Sequence, residues 1–333
     1  MSAAVPLLAH ALTPLAEALA DPATEDVMVN GPDRFFVRRG AITTQHEAKG
    51  LSFSDIEAIA ILAGAVRHQD VGRTRPLLAT ELPTGERLQA VLPPCVRPGT
   101  ASLTIRRGSS ELPTLDGLAA SGIFAATRPR PGGLSDADGE LLDLYRSANW
   151  EPFLRTCIRA RKTVAFVGET GSGKTHDTKA LVGEIPLNER IVTVEDTDEW
   201  GGLPHPNRVA LFYSKGDQGA ARVGANELVE AALRMAPRWL LVQELRDGAA
   251  FSFLRALASG HPGITTWHAK SAATAFDPLA LMVRQHPAGA TLPSEDIRLL
   301  CRKLVDVVVH CHRDGGKFGI SEVWLNLAEE DAP

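Results

Sequence analysis

Gly168-Glu-Thr-Gly-Ser-Gly-Lys-Thr175 follows directly on an apolar run, Thr163 to Val167, and leads into a helix-compatible stretch, Lys179 to Val182. These eight residues fit G-x-x-x-x-G-K-[ST], a pattern that works only between a strand and a helix. Gly168, Gly171 and Gly173 let the backbone curl with its N–H groups turned inward. The following helix points its positive end into the loop. An ammonium at Lys174 suits β- and γ-phosphates, and the Thr175 hydroxyl suits Mg²⁺. The expected ATP-binding set is thus Gly168, Glu169, Thr170, Gly171, Ser172, Gly173, Lys174, Thr175 and His176. His176 and Asp177 depart from the small or apolar types expected after the loop. The backbone N–H of His176 serves whatever its side chain does. Asp177 favours a helix start but adds negative charge near a polyphosphate, so its side chain is expected to turn away.

Downstream, short apolar runs alternate with helical stretches: Val164–Val167, Ile191–Val194, Leu240–Val242, Ile264–Trp267 and Val305–His310. Runs of this kind suit strands buried on both faces of a mainly parallel sheet, and the alternation suggests βαβ units. Ligands of such sheets sit beyond the carboxyl ends of the strands. Three candidates for chemistry fall there. Glu195, with Asp196 beside it, ends one run and is placed to orient or deprotonate an attacking water. Glu244 ends the run from Trp239, about 70 residues after the loop, where a nucleotide-hydrolysing enzyme needs an acid beside Mg²⁺. His268 ends a β-run after a glycine-flanked turn and is placed to contact a γ-phosphate. Taken alone, Glu195 and Asp196 are as readily solvated loop acids, Glu244 is more often a turn-capping acid, and a lone histidine is more often a satisfied core residue. The phosphate loop upstream turns Glu244 towards catalysis, while the placement of His268 alone does not settle its role.

The N-terminal part has a different grammar. Thr13-Pro14 marks a helix start, and Asp26 to Arg39 reads as two strands around Asn30-Gly31-Pro32-Asp33. Ser54 to Arg67 is an amphipathic helix with Ser54 and Glu57 as its capping box. Arg87–Leu92 and Ser102–Arg106 read as strands. A Pro- and Gly-rich connector, Thr127 to Gly133, follows, then helical patterns over Leu134–Ala148 and Pro152–Ala160. The expected division is an α+β domain over residues 1–126, a connector over 127–139 and an α/β phosphate-loop domain over 140–333.

A chain of 333 residues is long enough for about two domains, and a hydrophobic share of 44% supplies both cores. The net charge of −5 shows no overall basic surplus, which disfavours direct nucleic-acid binding. Four cysteines without a C-x-x-C pair argue against structural zinc. Met1 to Ala20 is apolar but lacks Lys or Arg ahead of the apolar run and carries Pro6, Pro14 and Glu17, which argues against a signal peptide. No uninterrupted apolar stretch approaches the ~18 residues of a membrane span. A cytoplasmic location is expected, with any membrane contact made through partners.

Four segments now coincide in order, and together they resemble the type II/IV secretion ATPase superfamily, in particular the traffic ATPases of type IV secretion and conjugation systems. Gly168–Thr175 matches the family's G-x-T-G-S-G-K-T. Val194-Glu-Asp196 is similar to its Asp box. Leu233-Arg-Met-Ala-Pro237 with Val242-Gln-Glu-Leu-Arg246 resembles its Walker B segment, and Ser259-Gly-His-Pro-Gly with Thr265-Thr-Trp-His-Ala269 its His box. Val29-Asn30-Gly31, Leu82-Pro-Thr-Gly-Glu-Arg-Leu-Gln-Ala-Val-Leu-Pro-Pro94 and Ser102-Leu-Thr-Ile-Arg-Arg107 are similar to its N-terminal sensor-like domain. Gln243 stands where the family usually has Gly, and Ala249 where it usually has Glu. The His box is one residue shorter than common before Ile264.

The resemblance implies a RecA-like C-terminal domain and a homo-hexameric ring of two stacked layers, with nucleotide between the domains. It implies N-terminal arginines at the phosphates: Arg106 matches best, then Arg107 and Arg128. It also implies ATP hydrolysis with Mg²⁺ on Thr175 and Glu244, and Glu195, Glu244, His268 and Arg106 as the catalytic set. The place of work is the cytoplasmic face of the inner membrane, beside other secretion-system subunits, where such motors drive pilus assembly and export. Two rivals stand beside this reading. One is a type IV pilus or type II secretion motor, whose tetracysteine module is absent here. The other is a nucleotide-gated interaction module with little turnover.

Overall fold

The computed structural model describes residues 4–108, 112–127, 134–214 and 219–327. Of the expected connector, Arg128 to Gly133 lies outside the described residues. A helix already begins at Asp136, inside the stretch expected as connector, and its Leu141 and Leu142 pack into the C-terminal core.

The N-terminal part forms a six-stranded antiparallel sheet in the order β3-β2-β1-β6-β5-β4. These are β1 (Asp26–Val29), β2 (Arg34–Arg39), β3 (Ile42–Glu47), β4 (Leu77–Glu81), β5 (Arg87–Val91) and β6 (Ser102–Arg106). A helix over Phe53–Val66 buries Ile56, Ile59, Ala60 and Ala63 in the same core as Val27, Val37, Ala90 and Ile105. Its cap lies two residues earlier than the sequence pattern suggested. Ser52 has extended backbone, and its hydroxyl accepts from the Asp55 amide at 3.2 Å. The Asp55 carboxylate in return accepts from the Ser52 amide at 2.8 Å, closing the capping box.

The C-terminal part is a seven-stranded sheet in the order β13-β12-β7-β11-β10-β8-β9. Its strands are β7 (Val164–Val167), β8 (Ile191–Glu195), β9 (Arg208–Phe212), β10 (Trp239–Val242), β11 (Gly263–Trp267), β12 (Val307–Asp314) and β13 (Lys317–Leu325). All neighbours are parallel except β13, which folds back antiparallel on β12. Helices cover both faces, which is why the strands read as continuous apolar runs. Val164 and Phe166 point to one core, with Leu181 and Phe153; Ala165 and Val167 point to the other, with Val229 and Phe253. This is the mainly parallel, RecA-like α/β arrangement expected.

The two sheets share a polar and apolar seam. Val91, Cys95 and Val96 pack into the same cluster as Val192, Val194 and Leu211. The Phe212 amide donates to the Cys95 carbonyl at 2.9 Å. Arg190, fully buried, donates to Asn30 Oδ1 at 2.9 Å, to the Met235 carbonyl at 2.7 Å and to Asn207 Oδ1. Burial pulls its guanidinium down to about 10, so it still carries charge at neutral pH. Arg97 completes the seam with a two-pronged pair to Asp198 at 2.9 and 2.7 Å.

Candidate active site

The loop between β7 and the helix Lys174–Val182 is shaped by glycines at the two places where nothing else fits. Gly168 has φ +151°, and a Cβ there would lie 2.2 Å from the Cys311 carbonyl oxygen. Gly173 has φ +95°, and a Cβ there would lie 3.1 Å from the Phe318 ring. Lys174 Nζ curls back and donates to the carbonyls of Gly168 at 2.9 Å and Glu169 at 2.8 Å. Burial pulls the Lys174 ammonium below its usual value, against the opposing attraction of Glu244.

A cleft of about 630 Å³ opens over this loop. Thr170, Gly171, Ser172, Gly173, Lys174, Thr175 and His176 line it. Gly168 and Glu169 sit beneath, lending carbonyls to Lys174. His176 turns its ring to solvent, 3.1 Å from Asp177. Asp177 does face away from the cleft, accepting from the Cys311 thiol at 3.4 Å and lining a separate hollow.

Strand ends on the far side of the cleft deliver the chemical groups. Glu244, just past the end of β10, lies between a histidine and an arginine. Its Oε1 lies 2.9 Å from His268 Nε2, and its Oε2 accepts from Arg246. The other His268 nitrogen is 3.2 Å from the Gly168 carbonyl. His268 thus bridges the floor of the phosphate loop and the Glu244 carboxylate. Arg246 also reaches Asp196 at 3.1 Å, so one guanidinium joins both acids, and the Glu244 hydrogen bond raises its already high affinity for a proton. Gln243 has a tie of its own: its Oε1 accepts from the Asp196 amide at 2.9 Å, fastening the ends of β8 and β10 together.

Two expectations are corrected. Glu195 does not reach the cleft. It is completely buried, accepting from the Thr193 hydroxyl and from the amides of Glu199 at 3.1 Å and Trp200 at 3.2 Å. Burial pushes its carboxyl above the ordinary range. It braces the turn after β8, and Asp196 is the acid of that pair which lines the cleft. Arg106 does not reach the loop of its own chain either. It pairs with buried Asp26 at 2.9 Å and borders a different groove with Arg67, Arg87 and Arg234. Arg107 donates to the Asp21 carbonyl, and Arg128 lies outside the described residues. The cleft's arginines are instead Arg246 and Arg313.

The oxygen donors Thr175, Glu244 and Asp196 on one cleft are the hard ligands Mg²⁺ takes. Among the described residues no three or more His, Cys, Asp or Glu gather as a self-sufficient cage. A Mg²⁺ at this place would be held by one or two protein oxygens together with phosphates and waters, its usual manner beside a nucleotide.

A larger hollow of about 780 Å³ adjoins the cleft along the domain seam and shares Asp196 and Thr197 with it. It holds neither the loop nor Glu244, so the smaller cleft is the chemical centre.

Comparison with known proteins agrees with this geometry. The model of the family described as type II/IV secretion system protein matches residues 10–329. Protein VirB11 of Agrobacterium fabrum is 41% identical over 326 residues, covering 96% of this chain and 94% of its own length. The type IV secretion system protein VirB11 of Bartonella quintana is 38% identical over 327 residues, covering 95% and 92%. Among solved structures, the VirB11 ATPase of the Brucella suis type IV secretion system, in complex with sulphate, superposes with a TM-score of 0.92 at 39% identity, over 97% of this chain and 95% of that one. With a phosphate loop, strand-end acids and a full-length likeness to VirB11 proteins, the chain belongs to the type II/IV secretion system family of ATPases.

Proposed function

We propose that this chain is the ATP-hydrolysing motor of a type IV secretion or conjugation system. The observation that carries the reading is the cleft, where Lys174, Thr175, Glu244 and His268 converge on one edge of the sheet. Loop amides and Lys174 take the phosphates. Bound at Thr175 and Glu244, Mg²⁺ would neutralise charge on the β- and γ-oxygens. Glu244 and Asp196 orient the attacking water, with Arg246 keeping the two carboxylates apart and aimed. His268 touches both Glu244 and the loop floor, so a change at the γ-phosphate reaches the β11 end directly.

The motor works as a homo-hexamer beside other secretion-system subunits at the cytoplasmic face of the inner membrane. No helix among the described residues is long and apolar enough to cross a membrane. Arg106 is turned away from its own cleft, and its part in catalysis is played on a neighbouring protomer. Lys174→Ala and Arg106→Ala proteins test this. Each alone is expected to release little phosphate from ATP, and a one-to-one mixture to recover activity, because some junctions combine an intact loop with an intact arginine. A mixture no better than its parts contradicts action between protomers.

A further inference from the structure

The phosphate loop divides the sheet edge into two sides. The order β12-β7-β11-β10-β8 places the acids of β10 and β8 on one side of the loop strand and β12 on the other. A triphosphate lying in the loop with its γ end towards Glu244 and Asp196 must send its ribose and base towards the β12–β13 hairpin. Two side chains of that hairpin line the same cleft, Arg313 and Phe318. They are directly opposed across the two strands, next to the tight turn at Gly315-Gly316, where φ is +53° and +83°. The Arg313 guanidinium carbon sits 5.0 Å from the centre of the Phe318 ring, within cation–π reach. The ring leans on Gly173, the glycine just before Lys174.

Phe318 is nonetheless 60% exposed. A solvent-exposed phenylalanine is ordinary in itself. One that abuts an anion-binding loop, backed by a guanidinium and lying on the path a nucleotide must take, is different. We infer that Phe318 and Arg313 form the shelf on which the purine base of the bound nucleotide stacks. The inference rests on the reading of the cleft as a nucleotide site. The shelf supplies a flat π-face and a positive edge for an electron-rich ring, and its own exposed apolar surface is covered when the base arrives. The Phe318 ring itself offers nothing to the phosphates, which the loop amides and Lys174 hold.

Calorimetric titration of the purified full-length protein with ADP and with inorganic pyrophosphate separates the two contributions. Phe318→Ala is expected to weaken ADP about tenfold, in line with the loss of one base–aromatic stack, and to leave pyrophosphate within about twofold. Phe318→Trp restores ADP affinity. The inference is overturned if Phe318→Ala leaves ADP unchanged, if it weakens both ligands alike, or if tryptophan binds ADP no better than alanine. Wild-type protein that binds neither ligand overturns the nucleotide reading of the cleft itself, an outcome distinct from the other three.

Discussion

Glu195 and Asp196 are consecutive acids at the end of β8, and the backbone sends them in opposite directions. In a strand, neighbouring side chains alternate faces. Glu195 turns inward to three donors, while Asp196 turns to the cleft and Arg246. Asp196, not Glu195, therefore joins Glu244 on the cleft, and the proposed water-positioning role falls to that pair. Glu244→Gln is expected to lower kcat about 10²–10³-fold, the usual worth of a positioned carboxylate, while ADP binding changes little. Glu195→Gln should act on stability instead. The Glu195 carboxyl is raised by burial, so the folded protein holds its proton more tightly than the unfolded chain. Wild type then loses stability as pH climbs from about 4.3 towards the raised value, and Glu195→Gln lacks that descent. Urea melts at a series of pH values, beside turnover assays, check both halves.

Among the elements, the strands around the loop were legible because each local requirement is written in residue type. An apolar run, three glycines, Lys and Thr leave little other choice at residues 164 to 175. The edge strands were not legible. β3 reads Ile-Thr-Thr-Gln-His-Glu, with no buried residue to impose an apolar face. β13 has exposed Phe318 and Ile320 and a single buried residue, Leu325, so its pattern carries little signal. The capping box slipped by two residues because both Ser52 and Ser54 are competent, and only Ser52 adopts the extended backbone a cap needs. The site follows the same division. Lys174, Thr175, Glu244 and His268 sit in or beside local motifs and could be named. Arg313 and Phe318 reach the loop only through hairpin register, about 140 residues away in sequence, and no short-range pattern marks them. The pairing of Arg106 within its own chain was hidden for the complementary reason: its partner Asp26 lies on a strand 80 residues earlier.

For the whole molecule, the seam between the sheets is the contact that joins its two parts. Arg190 is its polar centre, fully buried and shared between Asn30 of the N-terminal part and Asn207 and Met235 of the C-terminal part. Arg190→Ala takes the donor from the Met235 carbonyl and leaves Asn207 Oδ1 only its 2.9 Å bond from Asn30 Nδ2, and is expected to lower unfolding stability by about 3 kcal/mol. Arg190→Lys should recover less than half, since an ammonium cannot reproduce the guanidinium fork. Equilibrium urea denaturation measures both. A motor of this kind depends on the loop at residues 168 to 175 holding a triphosphate for hydrolysis. Steady-state phosphate release by the purified full-length protein, compared with Lys174→Ala, tests that most directly. Mg²⁺-dependent release by wild type and none above background by the variant is the expected result, and equal release by the two proteins would refute a catalytic role for the loop.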